Sequence, residues 1–291
     1  MAAVTSSLTQ CTSILPMESV VDSMDEYISS MEVDHVGTDV RLRPERTVMG
    51  RVAAIMGAFN GKQQVLGLGD LSESTGLPKS TLHRLADQLC QVGWIERDPD
   101  GYRIGIRMFE LGSLAVEGNQ LYEAAIPHLQ ALAAKTGMST QLGILDQSEV
   151  VYLERIAVGA VRLPTRRGGR NPAYCTALGK AMTAFDDDAV RTVTSSPMLR
   201  RTANTITDPA ALRTELSQVR RVGIAFDRGE IYQDFVCVSA PIRSSGNVIG
   251  AVSVTAPAGR MRWGIATEAV RSTAAAIWNA THRLGGASTR L

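Results

Sequence analysis

The sequence is poor in aromatic residues, histidine and cysteine. Trp, Tyr and Phe make up 5% of the 291 residues, and there are only 4 histidines and 4 cysteines. The cysteines are Cys11, Cys90, Cys175 and Cys237. They are far apart and form no Cys-x-x-Cys or Cys/His pattern, which argues against a zinc finger and against a disulfide scaffold. Reduced thiols in a cytoplasm are the simpler interpretation.

The sequence also lacks long apolar runs and net charge. No run approaches the roughly 20 apolar residues that cross a bilayer, and the first 20 residues lack the basic start and apolar segment of a secretory signal. We therefore expect a cytoplasmic protein that does not bind a membrane. The formal net charge is +1, so affinity for a nucleic acid has to come from a local basic surface.

The chain length predicts two domains, preceded by an acidic arm. Residues 1–39 contain seven Asp or Glu and no Lys or Arg. They are rich in Ser, Thr and Met and show no sustained period, so we interpret residues 1–44 as a disordered arm. Apolar spacing over residues 17–31 leaves a short helix as the alternative.

A winged helix-turn-helix is predicted for residues 45–106. Apolar residues recur at helical spacing in three segments, residues 48–59, 68–75 and 78–92. Two short alternating runs, residues 94–97 and 102–104, then flank a Pro-Asp-Gly turn and predict a β-hairpin. Residues 107–120 are predicted to form a linker helix, with its helical pattern over residues 107–117.

The third helix is the candidate DNA-recognition helix. Its apolar residues Leu82, Leu85 and Leu89 predict a buried face, which leaves the opposite face and the first turn for base edges and phosphates. The candidate DNA-binding residues are Lys79, Ser80, Thr81, His83 and Arg84 of this helix and Arg97 and Arg103 of the hairpin. The alternative is a three-helix unit that binds protein, but the short preceding helix and the turn at Gly76 favour DNA.

Residues 121–291 are predicted to form an α+β domain. Helical patterns cover residues 123–135, 176–185, 208–222 and 263–284. Strand patterns cover residues 140–146, 150–156, 161–166, 235–243 and 248–256. Strands in hairpins mixed with separate helices indicate a central antiparallel sheet. Neither a GxGxxG nor a GxxxxGK[ST] phosphate loop is present, and no cofactor is expected.

Several motifs, in order and spacing, closely resemble the IclR family of bacterial regulators. The first half contributes Gly76-Leu-Pro-Lys-Ser-Thr-Leu-His-Arg-Leu85, Gly93-Trp-Ile95 and Gly101-Tyr-Arg-Ile-Gly105. The second half contributes Thr176-Ala-Leu-Gly-Lys-Ala181, Thr202-Ala-Asn-Thr-Ile-Thr207, Gly223-Ile-Ala-Phe-Asp227 and Cys237-Val-Ser-Ala-Pro-Ile242. The resemblance covers residues 48–284 and leaves out the acidic arm.

The resemblance implies a GAF-like effector domain in a ligand-responsive transcriptional regulator. Homodimers or homotetramers would bind inverted-repeat operators in double-stranded DNA, and the effector would be a small organic or aromatic acid whose catabolic genes are controlled. Matched motif by motif, the family's effector contacts fall on Leu163, Ala177, Leu178, Asp227, Phe235, Cys237, Ser253 and Thr255.

The residues are compatible with that pocket. Phe235 and Cys237 have the same parity on one strand, as Ser253 and Thr255 have on the next, so each pair faces one side of the sheet. Backbone N–H groups at the start of the helix after Thr176 suit a carboxylate. The apolar residues favour an aromatic acid, and Asp227 favours a hydroxyl or amine on the ligand. As an alternative, these positions belong to the ordinary core.

Two other classes of function remain open at this point. One is a GAF-fold thiol enzyme that uses Cys175 and Cys237, as sulfoxide reductases do, although none of the four histidines is next to either thiol in sequence. The other is a metal-responsive regulator with Cys175, Asp227 and Cys237 as ligands, which the mixed ligand types do not favour. A basic run of Arg162, Arg166, Arg167 and Arg170 suits an acidic ligand or, more simply, a solvated loop.

Overall fold

The computed structural model describes residues 47–61, 63–159, 163–244 and 247–287. The predicted acidic arm, residues 1–44, and its alternative helix over residues 17–31 lie outside these ranges. Among the described helices, none is long and apolar enough to cross a membrane.

The first unit has the predicted order of three helices and a hairpin. Its elements are α1 (Val48–Ala58), α2 (Leu68–Thr75), α3 (Lys79–Gln91), β1 (Ile95–Asp98) and β2 (Gly101–Ile104). The Thr47 side chain begins α1 by accepting a 3.1 Å hydrogen bond from the Gly50 N–H. Gly76, in the left-handed region at φ 69°, ends α2, and this conformation is one that glycine adopts without a steric penalty.

The core of this unit holds α3 against the hairpin. Leu82, Leu85 and Leu89 of α3 are buried, and each fully buried Leu side chain contributes roughly 1.5–3 kcal/mol. Tyr102 of β2 exchanges backbone hydrogen bonds with Leu66, the residue just before α2. A Cβ at Gly101 would lie 2.3 Å from the Leu66 carbonyl oxygen, so the hairpin requires glycine there.

The connection between the units is α4 (Ile106–Leu114), and α5 (Gln120–Thr136) follows it. The helix α4 is shorter than the predicted 107–117, and none of its residues is buried. Asn119 caps the start of α5, because its side chain accepts a 3.0 Å hydrogen bond from Tyr122 N–H. It ends at Gly137, which is left-handed at φ 66°.

The second unit is built on a central antiparallel sheet, as predicted, and the sheet has six strands, of which β5 and β6 were not predicted. Its strands are β3 (Ser139–Asp146), β4 (Glu149–Ile156), β5 (Arg170–Pro172), β6 (Ala225–Arg228), β7 (Phe235–Ser244) and β8 (Asn247–Pro257). Their order across the sheet is β5-β4-β3-β8-β7-β6, and every neighbouring pair is antiparallel.

The predicted strand over residues 161–166 is wrong. The described part, residues 163–166, is irregular, and the edge strand is the three-residue β5 instead. Pro164 has no N–H to donate to a strand ladder. The carbonyl oxygens of Leu163 and Thr165 accept from the Arg155 guanidinium at 3.2 and 2.5 Å, so this segment bonds to a side chain rather than to a strand.

Helices cover both faces of the sheet. On one face, α5 packs against β3 and β4, and α9 (Trp263–Ala287) packs against β7 and β8, around Leu129, Val254 and Ile277. On the other lie α6 (Ala177–Thr183), α7 (Asp187–Ser195) and α8 (Pro209–Val222), with Leu178 and Leu212 buried. The pattern over residues 176–185 did not predict that α6 ends at Thr183 and that a separate α7 follows.

Candidate DNA interface and effector pocket

The outer face of α3 carries the predicted DNA-binding residues. Lys79, Ser80, His83 and Arg84 are exposed, whereas Thr81 is half-buried. Because Leu82, Leu85 and Leu89 anchor the opposite side in the core, the exposed face is held rigidly. Lys79 and Arg84 have no ion-pair partner among the described residues, and both therefore present an unpaired positive charge.

The two arginines of the hairpin are paired with acidic groups. The Arg97 guanidinium lies 2.5 Å from the Asp87 carboxylate, and Arg103 lies 3.0 Å from Glu96. Glu96 also accepts a 3.2 Å hydrogen bond from Ile106 N–H at the start of α4. This backbone donor, and then Arg103, hold the pKa of Glu96 below its usual value. Phosphates would have to compete with these carboxylates for Arg97 and Arg103.

A single cavity in the second unit is lined by all eight predicted effector-binding residues. Its cavity volume is about 20 Å³, room for roughly one water molecule, so an organic occupant requires the wall to move outward. The predicted residues in its wall are Leu163, Ala177, Leu178, Asp227, Phe235, Cys237, Ser253 and Thr255. They come from the irregular loop before β5, the start of α6, and strands β6, β7 and β8.

Strand register brings the polar members of this wall together. Asp227 on β6 pairs with Cys237 on β7, and Cys237 pairs with Thr255 on β8. On the other side of β8, Ser253 pairs with Gln141 of β3. The polar row therefore crosses four adjacent strands on the face that carries the cavity.

Gln141 is the centre of a hydrogen-bond network in that row. Its Oε1 accepts from the hydroxyls of Ser253 at 2.9 Å and Thr255 at 3.0 Å. Its Nε2 donates to Thr165 Oγ1 at 2.8 Å. The Cys237 thiol lies 3.0 Å from Thr255 Oγ1. Gln141 thus connects the floor of the cavity to the irregular loop that covers it.

Asp227 is the acidic group in the wall of the cavity. It is 1% exposed and accepts a 2.7 Å hydrogen bond from Glu230 N–H. Burial raises the pKa of its carboxyl to about 7, with the negative charge of Glu230 adding to the rise, although the Glu230 N–H and Lys180 oppose it. A carboxyl with this pKa is about half protonated near neutral pH.

A buried ion pair lies behind Asp227. Lys180 of α6 is fully buried, and its Nζ lies 2.6 Å from Glu230 and 3.3 Å from Glu215. The hydroxyls of Thr202 and Thr205 donate at 2.6 Å to the carbonyl oxygens of Gly229 and Glu230. The turn that follows Asp227 is therefore held from both sides.

Some residues of the wall were missed from the sequence. These are Gln141, Tyr152, Pro164, Thr165, Thr176, Ile231 and Tyr232. A polar Gln141 inside a strand that is buried along most of its length was a usable signal, because a buried amide needs hydrogen-bond partners. The tyrosines carried no such signal, since Tyr is common both in cores and on surfaces.

Comparison with known families and structures agrees with this geometry. The model for the IclR helix-turn-helix domain matches residues 49–99, and the model for the C-terminal domain of bacterial transcriptional regulators of the IclR type matches residues 113–279. The chain belongs to the IclR family of transcriptional regulators.

Individual IclR-family relatives are similar over most of the chain. The Escherichia coli regulator XynR is 33% identical over 211 residues, 70% of this chain and 84% of XynR. Escherichia coli KdgR is 31% identical over 203 residues, 68% of this chain and 77% of KdgR. The crystal structure of an IclR homologue from Microbacterium hydrocarbonoxydans with 4-hydroxybenzoate has a TM-score of 0.72 and 31% identity. It covers 81% of this chain and 100% of the homologue.

Family membership confirms the predicted architecture and class of function. The first unit is an IclR-type DNA-binding helix-turn-helix domain, and the second is an effector-binding domain of the same family. The thiol-enzyme alternative finds no support in these comparisons. Burial raises the pKa of both the Cys175 and the Cys237 thiols, which disfavours the nucleophilic thiolate.

The metal-responsive alternative has no geometric support either. Among the described residues, no three His, Cys, Asp or Glu side chains are grouped so that they could hold a metal ion. Of the predicted basic run, Arg162 lies outside the described residues. Arg167 pairs with Glu154, and Arg170 pairs with Asp146. Arg166 donates a hydrogen bond to the carbonyl oxygen of Asn60 in the first unit.

Proposed function

We propose that this IclR-family regulator binds its operator with α3 and changes its DNA affinity when an aromatic or other small organic acid occupies the cavity. The observation that carries the effector part is the polar row of Asp227, Cys237, Thr255 and Gln141 at the floor of a partly apolar cavity. In this assignment residues 45–106 bind DNA, residues 107–120 form the linker, residues 121–291 bind the effector, and residues 1–44 are an accessory arm.

The DNA-binding residues that we assign follow from exposure and charge. Lys79, Ser80 and Thr81 lie at the N-terminal turn of α3, where N–H groups suit a phosphate. His83 and Arg84 follow on the exposed face and suit base edges in the major groove. Arg97 and Arg103 on the hairpin suit the flanking backbone. We propose a cytoplasmic location, because the operator DNA that the protein binds would lie there.

A homodimer would place two recognition helices on an inverted repeat. Support comes from the exposed apolar side chains of α1 and α4: Met49, Ile106, Phe109 and Leu114 are each between 63% and 71% exposed. Large exposed apolar side chains, one on α1 and three on α4, suit burial against a second copy of the chain.

The effector that suits the cavity is an aromatic acid. Leu163 and Phe235, with Tyr152 and Tyr232, supply apolar and aromatic walls for a ring. Ser253, Thr255 and Gln141 supply hydrogen-bonding groups, and Ala177 and Leu178 present the backbone at the start of α6. The 4-hydroxybenzoate bound by the Microbacterium homologue combines a ring, a hydroxyl and a carboxylate. We assign no catalytic role, because neither buried thiol has the low pKa of a nucleophile.

An electrophoretic mobility shift with DNA from upstream of the protein's own gene tests this function. We expect a specific, salt-sensitive shift that one member of a panel of aromatic and aliphatic acids alters. A Ser253→Val variant should bind DNA yet lose the response, because it removes a hydroxyl from the cavity wall. Ser217→Val, on the exposed face of α8, is the matched control.

Two outcomes would count against the proposal. Absence of any specific shift would contradict the DNA-binding assignment, and the next assay would be for sulfoxide-reductase turnover. A response confined to aliphatic acids of two or three carbons would contradict the aromatic effector.

A further inference from the structure

We propose that an organic acid enters the cavity together with one proton, which comes from solvent and is held on the Asp227 carboxyl. This inference rests on the proposed function and adds to it the protonation state of the bound complex. It follows from the direction of the hydrogen bonds in the cavity floor and from the balance of charge around it.

The hydrogen bonds of the polar row run in one direction. Thr255 donates its hydroxyl proton to Gln141 Oε1, so its oxygen can only accept from the Cys237 thiol 3.0 Å away. The thiol has a single proton, and that proton is used in this bond. Asp227 pairs with Cys237 across β6 and β7, so its carboxyl lies beside a thiol whose one proton is already used. An ionised Asp227 therefore gains no donor from Cys237, which favours the protonated carboxyl.

The charge around the cavity favours the same state. Of the described residues that line the cavity, none is Lys, Arg or His. Asp227, Glu230 and Glu215 form a group of three carboxyls. Two cations lie beside this group: Lys180 pairs with Glu230 and Glu215, and Arg228 pairs with Glu215. A carboxylate ligand next to an ionised Asp227 would place two negative charges in a buried cavity whose described lining holds no cation, which is costly. One proton on Asp227 removes one of these two charges.

The thiols and phenol hydroxyls near Asp227 stay uncharged over the pH range of the test. Burial raises the pKa of the Cys237 and Cys175 thiols and of the Tyr152 and Tyr232 hydroxyls. Two further cations are near the cavity but outside its wall: Arg201, near Tyr174 and Tyr232, and Arg155, which donates to the carbonyl oxygens of Leu163 and Thr165. Asp227 is thus the wall residue expected to titrate near pH 7.

The sign of the pH dependence follows directly. In the unliganded protein the pKa of Asp227 is about 7, and a bound anion raises it further. A ligand that requires protonated Asp227 binds with constant affinity below that pH and about tenfold more weakly for each pH unit above it. From pH 6.0 to pH 8.5 the affinity should fall about 30-fold.

Calorimetric titration of the full-length protein with 4-hydroxybenzoate tests the proposal. The binding enthalpy gives the number of protons taken up when it is measured in two buffers of different ionisation enthalpy, phosphate and Tris at pH 7.5 and phosphate and Bis-Tris at pH 6.0. We expect an uptake of about 0.8 proton at pH 7.5 and about 0.1 at pH 6.0. The neutral isostere 4-hydroxybenzamide should bind with no uptake at either pH, because it brings no negative charge.

An Asp227→Asn variant separates this role from a structural one. Its amide is neutral, as the protonated carboxyl is, and does not titrate, so the variant should take up no proton and bind about as tightly at pH 8.5 as at pH 6.0. Asp234→Asn, at an exposed position of the segment between β6 and β7, is the matched control and should behave as the wild type does.

Each contrary result has a distinct meaning. Binding of 4-hydroxybenzoate without proton uptake, or with an affinity that is flat or rises above pH 7, overturns the proposal and leaves the effector assignment in place. Uptake that persists in Asp227→Asn also overturns it, since the proton is then elsewhere. Failure of 4-hydroxybenzoate and of every acid in the panel to bind contradicts the proposed function itself.

Discussion

Arg166 joins the cover of the cavity to the DNA-binding unit through Asn60. Its Nε donates a 3.1 Å hydrogen bond to the Asn60 carbonyl oxygen, beside Gly61, where a Cβ would lie 2.8 Å from that nitrogen. Thr165, the residue just before Arg166 in the chain, accepts a hydrogen bond from Gln141 in the cavity floor. Two adjacent residues therefore contact the effector cavity and the segment between α1 and α2.

Arg166→Ala should weaken the coupling between effector and DNA. We expect effector affinity to change less than twofold, because Arg166 is outside the cavity wall, while the effector-induced change in operator affinity falls at least threefold. The two affinities are measured by calorimetry and by mobility shift on the same preparation, and their coupling is a free energy shared by both sites.

Arg167→Ala is the control for that variant. Arg167 lies on the same loop but pairs with Glu154 and stacks over Tyr122, so its loss should leave the coupling intact. An unchanged response in Arg166→Ala would show that the signal passes through α4 instead.

Arg84→Ala should weaken operator binding by about 1–3 kcal/mol, because a guanidinium that contacts a base edge supplies discrimination of that size. Base preference at one operator position should flatten as well. Competition shifts with operators altered at single positions measure both effects. Equal loss for every sequence would show that Arg84 contacts phosphate.

Lys79→Ala should weaken binding uniformly across sequences and reduce the slope of log affinity against log salt by about one unit. The reason is that one fewer phosphate is neutralised and about one fewer counterion is released. Titrations at four salt concentrations measure the slope. Wild-type slopes and affinities in both the Lys79 and the Arg84 variants would mean that α3 is not the recognition helix.

Lys180→Met should lower the free energy of unfolding by about 3–5 kcal/mol, since it leaves Glu230 buried without its partner. Adding Glu230→Gln should recover part of that loss. Urea unfolding followed by circular dichroism measures both. Arg191→Met, which removes an exposed ion pair with Asp188, is the control and should have little effect. A small effect of Lys180→Met would mean that the cavity side admits water to Glu230.

Phe109→Glu should dissociate the proposed dimer, because it places charge in the exposed apolar surface of α4. We expect analytical ultracentrifugation to shift toward monomer and operator affinity to fall at least tenfold, as two half-sites no longer act together. Gln130→Glu, exposed on α5, adds the same charge elsewhere. A Phe109→Glu protein that remains dimeric would move the interface to another surface.

Local pattern predicted most of the helices and strands and the type of the protein, although not β5, β6 and α7. Helical period with Gly76 and Gly137 as stops predicted α2, α3 and α5, because the periodicity of a buried face and the left-handed end of a helix are properties of a few neighbouring residues. The Pro-Asp-Gly turn predicted the hairpin of β1 and β2. The strand predicted over residues 161–166 was wrong because the carbonyl oxygens of Leu163 and Thr165 accept hydrogen bonds from the Arg155 side chain. The alternation of residues within the segment does not reveal that contact.

The chemistry of the cavity depended on contacts between residues far apart in the chain. Parity placed Phe235 with Cys237 on one side of β7 and Ser253 with Thr255 on one side of β8. The pairing of Cys237 with Asp227 and of Ser253 with Gln141 depends on the register between neighbouring strands. Burial of Asp227, which raises its pKa to about 7, arises from helices and turns that pack around it. Desolvation and hydrogen-bond direction belong to the assembled fold, so no local pattern in the sequence contains them.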